Sequence, residues 1–265
     1  MSETSRGVVA GAEFTDSHVH VDVTLSSDLS ELTTNLAIEM ADAGCARAIV
    51  LQLLSQPFSA AEWCAAITES PNLVPFVSID PRARDAKQQV DEAVSQGARG
   101  LKIHPRLESI HVMDPLVVDQ IRHAGKVGIP VVIDAFFDWK MRQLGVRTEH
   151  FGELADTCGG TTMCIAHMGS PDVLGAMFIA KAHPNVYLDI SFSTLYFRGS
   201  HVPSDITYAI TNMKGRRIMY GSDYPDRGML ETYMLSLDVL NQAKIEPEHM
   251  DLLFRGNFES FLGER

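Results

Sequence analysis

Eight times along the chain a short apolar run is followed by a stretch with helical apolar spacing, and this repeat narrows the architecture more than any other feature. The runs fall at residues 14–22, 47–54, 73–80, 98–104, 129–134, 162–167, 185–191 and 216–223. Helical spacing follows at 30–43, 59–70, 84–96, 114–126, 150–157, 172–182, 205–213 and 230–242, with a further terminal helix expected at 247–261. The first helix shows the pattern: Leu32, Leu36, Met40 and Ala43 share one face, and Gly44 follows as a stop. The run at 47–54 is too densely apolar to be half exposed, which predicts a strand covered on both faces, as parallel strands are. Strands alternating with helices predict a parallel sheet, and eight such units in 265 residues predict an α/β chain folded as one (β/α)8 TIM barrel with an extra C-terminal helix. No linker or low-complexity stretch divides residues 1–265, so a single domain is expected.

Charge and composition then restrict what such a barrel binds. A formal net charge of -12 opposes nucleic acid and anionic membrane surfaces as partners, because both require a basic face. A small-molecule substrate is the expected partner. No apolar run approaches the roughly 20 residues of a membrane span, and residues 1–7 lack the basic-then-apolar order of a secretory signal, so the chain reads as cytoplasmic. Cys45, Cys64, Cys158 and Cys164 fall in no metal-type spacing and sit among apolar neighbours, which predicts buried free thiols.

In a barrel of this kind polar residues near the C-terminal ends of the strands turn inward, and the active site forms there. Strand alternation places Asp16, His18 and His20 on one face. The other inward candidates are Gln52, Ser78, Asp80, Lys102, His104, Asp134, His167, Asp189, Ser191 and Asp223. Asp22, Asp80 and Asp189 are read as caps for the segments that follow them. Lys102 has two readings, an ion pair with a neighbouring carboxylate or a catalytic role. Two adjacent neutral imidazoles with a carboxylate from another strand are a poor way to fill a core and a good way to hold a divalent cation.

The motifs DSHVH on the first strand, GLKIHP on the fourth, IAHMGSP on the sixth, VYLDIS on the seventh and RIMYGSDYP on the eighth, with RGNFESFLG near the end, together resemble the amidohydrolase-2 branch of the amidohydrolase superfamily. That resemblance implies a mononuclear divalent metal, commonly zinc, held by His18, His20 and Asp223, with His167 polarising the substrate or positioning water. One departure stands out: the family pattern supplies a fifth-strand histidine ligand, where this chain has Asp134. Asp134 either ligates through oxygen, which favours manganese alongside zinc, or marks a metal-free site such as some lactonases of the branch possess.

The reaction so implied is hydrolysis of a C–N or C–O acyl bond in an amide or lactone, with Asp223 as base. The alternatives are a metal-independent lactonase, a non-oxidative decarboxylase of an aromatic or muconate-like acid, and a barrel that binds a ligand without turning it over. Lys102, His104 and Arg106 are the candidates for gripping a substrate carboxylate, with Arg198 and Arg227 further out on the loops. Phe136, Phe137, Trp139, Tyr196 and Phe197 are read either as an apolar wall over the site or as a surface between copies in a homo-oligomer.

Overall fold

The computed structural model describes residues 13–264; residues 1–7, read above for a secretory signal, lie outside the described residues. Eight strands form one sheet in the order of the chain: β1 (Phe14–Val19), β2 (Cys45–Leu51), β3 (Leu73–Val77), β4 (Gly100–Ile103), β5 (Val131–Ile133), β6 (Met163–Ile165), β7 (Val186–Asp189) and β8 (Ile218–Met219). Every ladder from β1–β2 through β7–β8 is parallel. The sheet closes where Val19 bridges Tyr224, Ser17 N–H donates to the Tyr220 carbonyl at 2.9 Å and Asp223 N–H donates to the His18 carbonyl at 2.9 Å. The expected TIM barrel is therefore the observed fold, and its seam joins the strand that bears His18 to the one that leads to Asp223.

Eight helices cover the outside: α1 (Leu29–Ala43), α2 (Ala60–Thr68), α3 (Ala86–Ser95), α4 (Pro115–Val127), α5 (Thr148–Thr157), α6 (Val173–Ala182), α7 (Val202–Asn212) and α8 (Met229–Gln242). Local signals fix their ends. The Asp28 carboxylate accepts from Ser30 and Glu31 N–H at the start of α1, and Gly44 ends it in the left-handed region at φ 76°, where a Cβ would be strained. Ser59 and Glu62 form a reciprocal capping box on α2.

Burial divides into two layers. A large apolar shell lies between sheet and helices. Inside the barrel a smaller cluster joins Ile49, Leu51, Val74, Phe76, Val132, Cys164 and Met219 to Phe258, Phe261 and Leu262 from the end of the chain. The terminal helix expected at 247–261 is interrupted: helix Pro247–Asp251 passes into a π turn, Leu252–Gly256, and then into Asn257–Phe261. A π turn releases carbonyls from the helical ladder. Two of them bind the barrel, since Tyr220 N–H donates to the Leu253 carbonyl at 2.9 Å and Thr15 Oγ1 donates to the Phe254 carbonyl at 2.7 Å. The aromatic plug seals one end with apolar side chains, leaving polar chemistry to the other.

The strands are shorter than the apolar runs suggest, and β8 shrinks from the expected 216–223 to Ile218–Met219. Arg217, just before it, and Asp223, four residues after it, have φ of 57° and 61°, in the left-handed region rather than the extended one. Three short helices not expected from the sequence, Pro105–Glu108, Trp139–Gln143 and Ser193–Tyr196, follow β4, β5 and β7 on the rim. All four cysteines are buried and free. Among the described residues no helix is long and apolar enough to cross a membrane.

Phe261 stacks near Phe76 and Tyr187 at ring separations of 6.2 and 5.3 Å. Phe261→Ala should remove that plug and destabilise the fold by about 3–5 kcal/mol, which urea denaturation followed by circular dichroism measures; a loss under about 1 kcal/mol would show that the plug does not support the barrel.

Candidate active site

His18 and His20 sit at the end of β1 and just beyond it, Asp223 four residues after β8. Their facing atoms converge: His18 Nε2 and His20 Nε2 lie 3.5 and 3.6 Å from Asp223 Oδ1. The rear nitrogens explain why. His18 Nδ1 faces Asp189 Oδ2 at 3.1 Å, and His20 Nδ1 faces the Leu51 carbonyl at 2.7 Å. Both partners only accept, so each ring carries its proton on Nδ1 and points a bare Nε2 lone pair at the carboxylate. Burial drives the pKa of both rings down, that of His20 to about 3, so both are neutral. Burial works against ionisation of Asp223, but the basic groups around it hold its pKa below the ordinary value. Two lone pairs and a carboxylate oxygen therefore meet with no proton of their own to share, and Lys102 Nζ is the donor that faces them, 3.2 Å from His18 Nε2.

Such a donor set fits a divalent cation. The ligand atoms of His18, His20 and Asp223 all lie within 4.8 Å of one another. The His–carboxylate and His–carbonyl contacts behind them are the outer contacts that orient metal-binding imidazoles.

His167 follows β6 with a left-handed backbone, φ 57°. Its Nε2 lies 3.1 Å from Asp134 Oδ2, and its Nδ1 lies 3.1 Å from the Ser191 carbonyl. Asp134 only accepts, so Nε2 carries a proton, while Nδ1 faces both the Ser191 carbonyl and, at 3.0 Å, the Ser191 hydroxyl. Burial opposes a charge on the ring, but the hydrogen bond and charge of Asp134, with Asp223 and Asp189 beyond, raise the pKa above its ordinary 6.5.

Asp134 does not join His18, His20 and Asp223 as the sequence suggests. Arg106 binds it with Nε to Oδ1 at 2.8 Å and Nη2 to Oδ2 at 3.1 Å, and His167 takes Oδ2 as well. Its carboxylate is spent on two donors, which with His104 hold its pKa well below the usual range although burial works the other way. Arg106 is equally committed, because Nη1 reaches Asp138 Oδ2 at 3.1 Å. The guanidinium expected to grip substrate is a strut of the site instead. His104 lies 3.5 Å from Asp134 Oδ2, and burial lowers its pKa to about 3, so it is neutral. Lys102 points its Nζ at His18 Nε2 from 3.2 Å, in place of the expected ion pair with a carboxylate.

Asp189 is likewise no cap. It is completely buried and accepts from His18 Nδ1–H, from the His167 and Ser191 backbone N–H groups, and from the Ser191 hydroxyl. Asp16 leaves the face it was expected to share. Its Oδ1 accepts from His18 and Ser222 N–H, both at 3.0 Å, where the β1–β2 register shifts between Asp16 and Val19. Burial pushes its pKa up to about 7. Asp22 and Asp80 close local turns, accepting from Thr24 and Arg82. Gln52 and Ser78 join each other on the rim, Ser78 N–H donating to Gln52 Oε1 at 3.1 Å.

Residues that sequence reasoning missed are Asp138, Glu108 and Phe192. Glu108 Oε1 accepts from His104 N–H at 2.9 Å, and Phe192 stacks on Tyr196 at 4.7 Å. No alternation signal marks them, since all three follow the strands on short rim segments. Phe136 meets Phe192, Tyr196 and Phe197 at 5.2 to 5.7 Å and stands edge-on to His167 at 6.1 Å. This is an aromatic wall beside the site. Phe137 turns away to Phe151, Trp139 is exposed, Arg198 is exposed and Arg227 pairs with Asp226 and Glu231.

Residues 16–262 match the amidohydrolase family. The chain belongs to that family. It is thereby an enzyme of hydrolase type, and its barrel is shared by solved structures at low identity. An uncharacterised TIM-barrel protein of Bordetella bronchiseptica is 19% identical with a TM-score of 0.79, over 96% of this chain and 99% of that one. A Burkholderia multivorans amidohydrolase with bound zinc is 16% identical with a TM-score of 0.70, over 95% and 99%. A probable 2-pyrone-4,6-dicarboxylic acid hydrolase of Acinetobacter baumannii with citric acid bound is 13% identical with a TM-score of 0.68, over 95% and 100%. No curated protein matches. At these identities the solved structures speak for the fold alone.

The raised pKa of His167 gives this amidohydrolase a pH-dependent stabilisation. It is fully present below the unfolded value near 6.5 and is lost as pH rises through the folded value. Asp134→Asn should lower the His167 pKa, read by NMR titration of the 15N-labelled imidazole; an unshifted titration would contradict the pairing.

Proposed function

We propose that this amidohydrolase hydrolyses an amide or lactone bond of a small carboxylated molecule, with a divalent cation, zinc before manganese, held by His18, His20 and Asp223. The observation that carries the reading is the convergence of two bare Nε2 lone pairs on Asp223 Oδ1, with both Nδ1 protons committed behind them. When bound there, a cation lowers the pKa of water from about 15.7 to about 7 and so supplies hydroxide at neutral pH.

The chain's own groups do the rest. Asp223, ionised and held by a strained left-handed backbone, receives the proton of the attacking water and passes it to the leaving group. His167, whose pKa Asp134 raises, stands buried beside the centre and in its protonated form stabilises the developing oxyanion. The aromatic wall of Phe136, Phe192 and Tyr196 excludes water on that side. A carboxylated substrate is supported by the basic side chains of Lys102 and His167 at the centre, and the fold neighbour from Acinetobacter is a probable dicarboxylic acid hydrolase with citric acid bound.

Asp223→Asn is expected to abolish turnover across a panel of lactones and amides while leaving the circular dichroism spectrum and melting point close to those of the parent; retained turnover would remove Asp223 as the base. Gly221 faces His18 so closely that an added Cβ would lie 2.8 Å from the His18 Cβ and 2.9 Å from that of Ser191. Gly221→Ala should push His18 off line and cost about 100-fold or more in kcat/KM.

A second reading, a metal-independent lactonase, is favoured by one observation: Lys102 Nζ already stands against His18 Nε2. Exhaustive chelation separates the two, since the first reading expects activity to vanish and return with zinc, whereas the second expects it unchanged.

A further inference from the structure

We propose that Lys102 Nζ and the divalent cation are alternative occupants of one place beside His18 Nε2, so that Lys102 sets how tightly the centre holds a cation. This rests on the metal reading above. His18 has spent its Nδ1 proton on Asp189, which leaves a single lone pair on Nε2. Lys102 Nζ lies 3.2 Å from that nitrogen, within hydrogen-bond reach, and because the nitrogen has no proton Nζ must be the donor. A zinc ion on the same nitrogen would use the same lone pair at about 2.0–2.1 Å. One lone pair cannot serve both.

Lys102 has no other holdfast. It is 1% exposed, and among the described residues its Nζ makes no other hydrogen bond and no ion pair within 4.0 Å. Asp134, Asp189 and Asp223 surround it at longer range. A dication arriving beside Lys102 meets a hydrogen-bond donor already seated on the nitrogen it needs. Binding the ion requires Nζ to give up His18.

The test uses the full chain stripped of metal and titrated with zinc against a chromophoric chelator, for the parent, Lys102→Met and Lys102→Gln. Both variants should bind one zinc per chain about tenfold or more tightly than the parent, and adding Asp223→Asn to either should abolish that gain. The parent offers a second measurement that needs no variant: on 13C-lysine labelling, zinc should move the Lys102 side-chain resonance as Nζ leaves the ring. Equal or weaker zinc binding in the variants that fold, or an unmoved Lys102 resonance in zinc-loaded parent, overturns the competition and leaves the metal reading standing. No zinc binding by any form overturns both.

Discussion

The carboxylate of Asp189 is the contact on which the centre depends. It is fully buried on β7, and its two oxygens fix three things at once: the proton position on His18, the backbone of His167 and the backbone of Ser191. Desolvating a carboxylate is costly unless its oxygens are filled, and here they are filled by His18, His167 and Ser191. His18 and His167 hold its pKa well below the ordinary value despite burial, so it stays an acceptor at any physiological pH. Were it absent, His18 would be free to turn its proton toward Asp223, and the bare lone pair would be lost.

Around that carboxylate the charges form two linked systems. One runs from Asp189 through His18 to Asp223 and His20, and consists of acceptors aimed at one point. The other runs from Asp138 through Arg106 and Asp134 to His167, and consists of alternating acidic and basic groups that bind one another. The first is suited to a cation and the second to holding a proton on His167. Lys102 stands between them, which is why its single contact matters so much.

The barrel makes this arrangement affordable by separating its ends. Aromatic side chains from beyond the π turn fill the lumen at one end, and the same turn's carbonyls hook β1 and β8 together at the seam. His167, Phe192 and Asp223 all adopt left-handed backbone, at about 1–3 kcal/mol each. Strain of that kind persists only where the surroundings over-determine it. The seam hydrogen bond from Asp223 N–H to the His18 carbonyl is part of that constraint, and it ties the two residues together directly through the backbone.

Much of this was legible in the residue order. The strand and helix repeat determined the barrel, and the barrel's polarity placed His18, His20, His167 and Asp223 at one end, because period-2 and period-3.6 patterns are local and survive without knowing the partners. Tertiary structure alone decided what each polar group does there. Asp134 and Asp189 both end strands and look alike in sequence, yet one binds Arg106 and His167 while the other sets the proton on His18. Asp16 shares the alternation of His18 and still leaves the site, because a register shift turns it onto the backbone N–H of His18 and that of Ser222, 206 residues away across the seam. Charge partners come from across the barrel, at separations no local pattern encodes, and for a buried ionisable group the partner determines the chemistry.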